Sequence, residues 1–219
     1  MEFVNYFSVW NRLSEYEKSI IEQSIIHRDV PAGTVIYNSD GDCLGLVIIT
    51  TGQLRAYITS DEGKEVTLYR LFPHDVCLFS AACAMKNIQF DITISTEKDS
   101  NIYIIPAEVY KKLMDSSLTI SNFTNEIMSA RLTEVMWMIE QVVFRSMDKR
   151  LASFLIEESV IEDTSKLQIT HEMIASHLGS AREVISRLLK YFSSEGIVSI
   201  SRGVVEITDE EKLRRLSER

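Results

Sequence analysis

The chain reads as an α+β protein: an N-terminal roll of short strands, one long helix, and a C-terminal winged helix-turn-helix. Three observations carry that reading. Between Val30 and Ile105 short β-favouring runs alternate with turn signals. From about Ser117 to Phe144 there is neither Gly nor Pro, and apolar residues recur at helical spacing. Ile169–Ile207 then holds two short helical patterns around Gly179, followed by two β stretches.

The N-terminal residues contain an amphipathic helix around Ser14–Ile26. Ser14 is its cap, and Glu17, three residues on, completes a capping box. The β runs are VIYN (35–38), LGLVIIT (44–50), QLRAYIT (53–59), EVTLYRL (65–71), FDITIS (90–95) and NIYIIP (101–106). PAG, SDGD, TTG and SDEGK separate them, and this spacing suggests a compact β-roll or barrel. Pro106 ends the last strand, and Ala107–Met114 reads as a short helix.

In the long helical stretch Met128, Leu132, Val135, Ile139 and Val142 step by four and three, the coiled-coil spacing. Trp137, Met138 and Val143 add apolar surface on a neighbouring face. One stripe can pack on the β-roll while the other meets a second copy of the chain, so these five positions are the candidate dimer interface. The break near Ser146-Met147-Asp148 marks a boundary, with Asp148 as N-cap of the next helix. Three regions follow: 1–116 as a β-roll sensor, 117–147 as the long helix and hinge, and 148–219 as the winged helix-turn-helix.

In the C-terminal region Thr170 can cap the first short helix, in which Ile174 and Leu178 share a face. Gly179 supplies the positive φ that ends that helix sharply. Ser180 starts the second helix, whose apolar face is Val184, Ile185, Leu188 and Leu189. Arg182, Glu183, Ser186 and Arg187 occupy its first two turns, the end of a recognition helix that reaches base edges. Arg can bond guanine O6 and N7 together, and Glu can accept from a cytosine amino group. Ser180 and Glu183 also fit a capping box, so Glu183 has a structural role open to it as well. Gly196 closes the helix; Val198–Ser201 and Val204–Ile207 pair across Arg202-Gly203, placing a cation at the wing tip. The candidate DNA-binding residues are Thr170, Ser180, Arg182, Glu183, Ser186, Arg187, Lys190 and Arg202.

A formal net charge of −9 argues against broad affinity for nucleic acid. Within Gly179–Val204, however, Arg182, Arg187, Lys190 and Arg202 outnumber Glu183 and Glu195. No apolar run is long enough to span a bilayer, and MEFVNYF lacks the basic start of a signal peptide. Cys43, Cys77 and Cys83 do not form a disulfide framework, and the expected location is cytoplasmic. His27, His171 and His177 show no metal-ligand spacing, and the two C-terminal ones read as surface or helix-packing residues.

A β-roll, a long helix and a winged helix in this order resemble the Crp/Fnr family of bacterial transcription regulators. The likeness spans roughly residues 14–208. Its most specific part is Arg182-Glu183-Val184-Ile185-Ser186-Arg187, similar to the family's E-x-x-S-R recognition motif. Arg182 matches an additional arginine of the cyclic-AMP-responsive branch. The resemblance implies a cyclic-nucleotide-binding-like jelly roll and a homodimer on palindromic double-stranded DNA, with TGA-containing half-sites of the TTGAT or TGTGA kind. A two-fold dimer places these about 34 Å apart. It also implies contact with RNA polymerase.

The sensor resembles the family in outline only. Cyclic-nucleotide binders carry an F-G-E-L segment and an R-S/T-A segment whose arginine holds the phosphate. This chain has Cys77-Leu78-Phe79-Ser80-Ala81-Ala82-Cys83, then Gln89-Phe90-Asp91-Ile92, without that Glu and Arg. An anionic phosphate needs a cation or clustered amides, so no cyclic-nucleotide binding is expected. An Fnr-type iron–sulfur cluster needs four thiolates, including an N-terminal cluster, and no cysteine precedes Cys43. No cofactor and no metal are expected. Cys77, Phe79 and Cys83 are the sensor candidates, either as a thiol redox pair or as part of a pocket for an unidentified small-molecule effector. Two cysteines buried simply as small apolar side chains remain an alternative. His74, three residues before Cys77, is only a weak ligand pair with it.

The expected function is a DNA-binding transcription regulator with no enzymatic activity. The alternatives are a winged helix that binds protein instead of DNA, and a cupin-like metalloenzyme. The second lacks the His-x-His strand such a site requires.

Overall fold

The computed structural model describes residues 2–38, 44–78 and 91–218, which form two compact units. The first comprises Met1–Thr59 with Leu68–Val135, and the second Ser60–Thr67 with Met136–Arg219.

The first unit begins with two 3-10 turns, Glu2–Asn5 and Trp10–Arg12, and helix α1 (Glu15–Ser24). The predicted capping box is present: Ser14 accepts from the Glu17 amide, and the Glu17 carboxylate accepts from the Ser14 amide at 2.6 Å. Then come β1 (Ile26–Val30), β2 (Val35–Tyr37), β3 (Gly45–Thr59), β4 (Glu65–Leu71), β5 (Val76–Cys77) and β6 (Ile92–Pro106). The sheet runs β1-β6-β3-β4, with β2 on β6 and β5 on β3; β1, β2 and β3 pair antiparallel with β6, and β5 antiparallel with β3. Helices α2 (Ala107–Ser116) and α3 (Leu118–Phe144) follow; the start of β4, residues 65–67, and the end of α3, from Met136, belong to the second unit.

The runs 44–50 and 53–59, expected as two strands, are one continuous strand, β3; the later runs, read as 90–95 and 101–106, likewise merge into β6. The Thr50-Thr51-Gly52 signal marks a bulge and not a turn. The register shifts on either side of Thr51, and Gly52 has φ +91 where β6 runs alongside. A β-carbon there would lie 2.2 Å from Ser100 Oγ and 2.5 Å from the Asp99 carbonyl, so only glycine fits.

β3 reads as an unbroken apolar run because both its faces are covered. Leu46 and Ile48 pack with Phe3, Phe7, Ile21, Tyr110 and Phe123 on the helix side. Val47 and Ile49 turn into the roll with Leu54, Ile94, Ile102 and Ile104. Each such side chain contributes roughly 1.5–3 kcal/mol when fully buried.

The second unit contains α4 (Met147–Ile161), β7 (Lys166–Leu167), α5 (His171–Leu178), α6 (Arg182–Ser194), β8 (Val198–Ser201), β9 (Val204–Ile207) and α7 (Glu210–Glu218). Its small sheet runs β7-β9-β8. One core joins Leu151, Leu155, Ile174, Ile185, Leu189, Phe192, Val205 and Leu213. Asp148 is not the cap of α4: Ser146 holds that position, and Asp148 lies inside the first turn. There its charge still faces the positive end of the helix dipole. The Ser60–Thr67 segment is held by Thr67 Oγ1, 2.8 Å from His177 Nδ1, and by Ser176 Oγ donating to Glu65 at 2.6 Å. Among the described residues no helix is long and apolar enough to cross a membrane.

Candidate nucleic-acid interface

The site is built on the turn between α5 and α6. Thr170 caps α5, its Oγ1 accepting from the Met173 amide at 3.2 Å. Gly179 ends α5 in the left-handed region (φ 64, ψ 38). The Ser180 amide donates back to the Ala175 carbonyl at 3.0 Å, a Schellman-like closure. Arg150 adds a second clamp, its Nη2 donating to the Leu178 carbonyl at 2.6 Å. This fixes the angle at which α6 leaves the turn.

Ser180 does not start α6. Ala181 is the N-cap, with no side-chain cap bond, and the helix begins at Arg182. The capping box expected of Ser180 and Glu183 is therefore absent, because the Ser180 backbone is engaged in closing α5. Glu183 is left exposed, available to other partners.

α6 is sharply two-sided. Ile185, Leu189 and Phe192 are buried, with Leu188 packed beside them. Arg182, Glu183, Arg187 and Lys190 are exposed, and Ser186 is half-buried. Arg182, Ser186 and Lys190 are spaced by four and form one stripe; Glu183 and Arg187 form the next. At the wing, Ser201 pairs with Val204, and Arg202 and Gly203 make an exposed two-residue tip with Gly203 at φ +73. Thr170 is exposed and Ser180 half-buried.

One residue next to this surface was not among the sequence candidates. His171, the first residue of α5, is half-buried, with Nδ1 2.8 Å from Ser186 Oγ. Burial and the nearby Arg182 and Lys190 charges push its pKa below the ordinary 6.5. Its position at a helix start was visible in the sequence, but its partner, fifteen residues away across the turn, was not. His177 is buried and tilts against Phe154 with ring centroids 5.2 Å apart.

The dimer candidates divide by burial. Met128 and Val135 pack partly against the cores of the first unit. Leu132, Ile139 and Val142 are exposed, as are Met136, Trp137, Val143 and Phe144. Of the sensor candidates, Cys77 is buried in the roll on β5, while Phe79 and Cys83 lie outside the described residues. Tyr37 and Tyr69, both within electrostatic reach of Cys77, have hydroxyl pKa values raised first by burial and then by the negative charge of the Cys77 side chain in its thiolate form. Arg131 lies over the Tyr69 ring at 4.9 Å, pairs with both Glu134 oxygens at 2.7 and 2.8 Å, and reaches Asp75 at 3.5 Å.

A β-roll and a winged helix-turn-helix with a basic exposed recognition face define a DNA-binding transcription regulator. Residues 27–117 match the cyclic nucleotide-binding domain profile, and 149–216 match the Crp-like helix-turn-helix domain profile. The regulatory protein HlyX of Actinobacillus pleuropneumoniae is 27% identical over 92% of this chain and 86% of its own length. The cyclic AMP receptor protein of Thermus thermophilus is 23% identical over 85% and 86%. A candidate transcriptional regulator of the Crp/Fnr family from Eubacterium rectale, known from a crystal structure, is 52% identical. It superposes with a TM-score of 0.97, covering 98% of this chain and 100% of that one. The chain belongs to the Crp/Fnr family of transcription regulators, which are not enzymes.

Proposed function

We propose that this regulator acts as a homodimer on a palindromic operator with TGA-containing half-sites. Arg182, Glu183 and Arg187 read bases, while Thr170, Ser180, Ser186, Lys190 and Arg202 contact phosphate or assist readout. The observation that carries this reading is the exposed polar face of α6, backed by the buried Ile185, Leu189 and Phe192 and flanked by a cationic wing tip. Homodimerisation is supported by Leu132, Met136, Trp137, Ile139, Val142, Val143 and Phe144, all exposed on α3. A second copy of that helix covers such a stripe, which is too large an apolar surface to leave in water.

Control comes from a small-molecule effector other than a cyclic nucleotide, or from the redox state of Cys77 and Cys83. One relative is named for cyclic AMP, but residues 77–92 of this chain lack the glutamate and arginine expected of such a site. Contact with RNA polymerase and action in the cytoplasm belong to the same reading. The test is fluorescence anisotropy of reduced protein against a TTGAT–ATCAA palindrome and a scrambled duplex, over a salt series. A preference of about a hundredfold, roughly 2.7 kcal/mol, supports it. Salt-insensitive association, or none, points instead to a protein-binding winged helix.

A further inference from the structure

We propose that His171 is a positioning residue of the DNA-reading surface: it holds the Ser186 hydroxyl through Nδ1 and takes up a proton when DNA binds, so that operator affinity rises as pH falls. This rests on the assignment of α6 to base reading. The imidazole comes from α5 and touches the middle residue of the Arg182–Ser186–Lys190 stripe at 2.8 Å. The charged groups acting on it, both from α6, are Arg182 and Lys190; Glu172, its neighbour on α5, is exposed.

The chemistry follows from the donor count. In the neutral ring one nitrogen accepts and one donates; in the protonated ring both donate. On protonation the proton comes from solvent, and Nδ1–H must then donate to Ser186 Oγ. Where the neutral ring accepts the serine hydrogen at Nδ1, that hydrogen is thereby released to point at a base or phosphate oxygen. In the free protein, burial and the two cations disfavour that state. A DNA duplex reverses the electrostatic part, because its closely spaced phosphates offset Arg182 and Lys190 and favour an added positive charge. The free and bound pKa values of His171 therefore separate, and binding takes up protons between them. Linkage limits the effect to about tenfold in affinity per pH unit for each subunit.

The experiment measures binding of the full chain to the TTGAT–ATCAA palindrome and to a scrambled duplex at pH 6, 7 and 8, at constant ionic strength. His171→Asn keeps a hydrogen-bonding group near Nδ1 but cannot titrate. Wild type should gain about tenfold or more on going from pH 8 to pH 6 relative to H171N, and Ser186→Ala should reduce that gain. The His171 ring proton, followed by NMR, should titrate below its ordinary pKa in free protein and above it in the complex; this reading does not depend on how well H171N folds. Specific binding with identical pH profiles for wild type and H171N, or an NMR titration unmoved by operator, overturns this proposal alone. Failure of wild type to discriminate the two duplexes at any pH overturns the DNA-reading assignment and this proposal with it.

Discussion

Gly179→Ala tests how tightly the turn sets the recognition helix. The residue stands at φ 64 and ψ 38, where an L side chain costs about 1–2 kcal/mol. An added β-carbon would also lie 3.1 Å from Val66 Cβ, closer than ordinary van der Waals contact. Gly203 separates the two costs: it has a similar φ, +73, but nothing within 4 Å of a β-carbon. G203A should therefore cost only the backbone term, and G179A that term plus a packing term. Gly179→Asn should recover part of the backbone cost, since Asn tolerates the left-handed region. Thermal unfolding followed by circular dichroism reads these differences, because 1 kcal/mol moves the midpoint by roughly 4–8 °C in a unit of 60–100 residues. G179A should unfold lowest of the three. If G179A costs no more than G203A, the packing argument fails; if neither costs anything, the conformational argument fails too.

Leu189→Ala removes a fully buried side chain from the α6 core and should destabilise by about 2–5 kcal/mol in denaturant unfolding. Lys190→Ala should weaken binding to all duplexes alike and lower the salt slope by about one, whereas Arg187→Ala should cost about 1–3 kcal/mol on the operator and little on scrambled DNA. Trp137→Glu puts a charge into the exposed α3 stripe and should shift the mass by light scattering from twice 25.1 kDa to the single-chain value; an unchanged mass removes Trp137 from the interface. Cyclic AMP at millimolar concentration should leave the unfolding midpoint unmoved, whereas saturation at 100 times Kd would add about 2.7 kcal/mol.

The elements that sequence patterns read well are those decided locally. Ser14 and Glu17 find each other three residues apart, and Gly179 ends α5 wherever the rest of the chain goes. What the patterns misread depends on distant partners. Thr50-Thr51-Gly52 carries turn chemistry, yet the chain continues as strand because Asp99 and Ser100 lie alongside. β1, β5 and β7 are too short or too polar to declare themselves and exist because a longer strand pairs them. α7 is highly charged, with only Leu213 fully buried, and owes its place to packing within the second unit. At the site, exposed arginines could be named from the helical pattern, but the helix cap falls one residue past Ser180, and His171 read only as a surface or helix-packing residue. Both turn on hydrogen bonds across the α5–α6 turn, from Ser180 to Ala175 and from His171 to Ser186.

The net charge of −9 then poses a specific question: how an acidic chain approaches a polyanion. Part of the answer is local pairing. In α7 the acids Glu210 and Glu211 hold Arg214 and Arg215 one turn on, and Asp209 lies 3.4 Å from Lys212, so these acids and bases largely cancel. On α6 the balance is different. Arg182, Arg187 and Lys190 point outward and only Glu183 opposes them in the first two turns. Such a surface offers few phosphate contacts, so nonspecific affinity should be weak and its salt slope shallow. Discrimination must then come from base contacts, which puts the weight on how firmly each reading side chain is held. In the proposed base-reading role, the Gly179 turn, the Arg150 clamp on Leu178 and the His171 hold on Ser186 all keep α6 and its reading side chains in place.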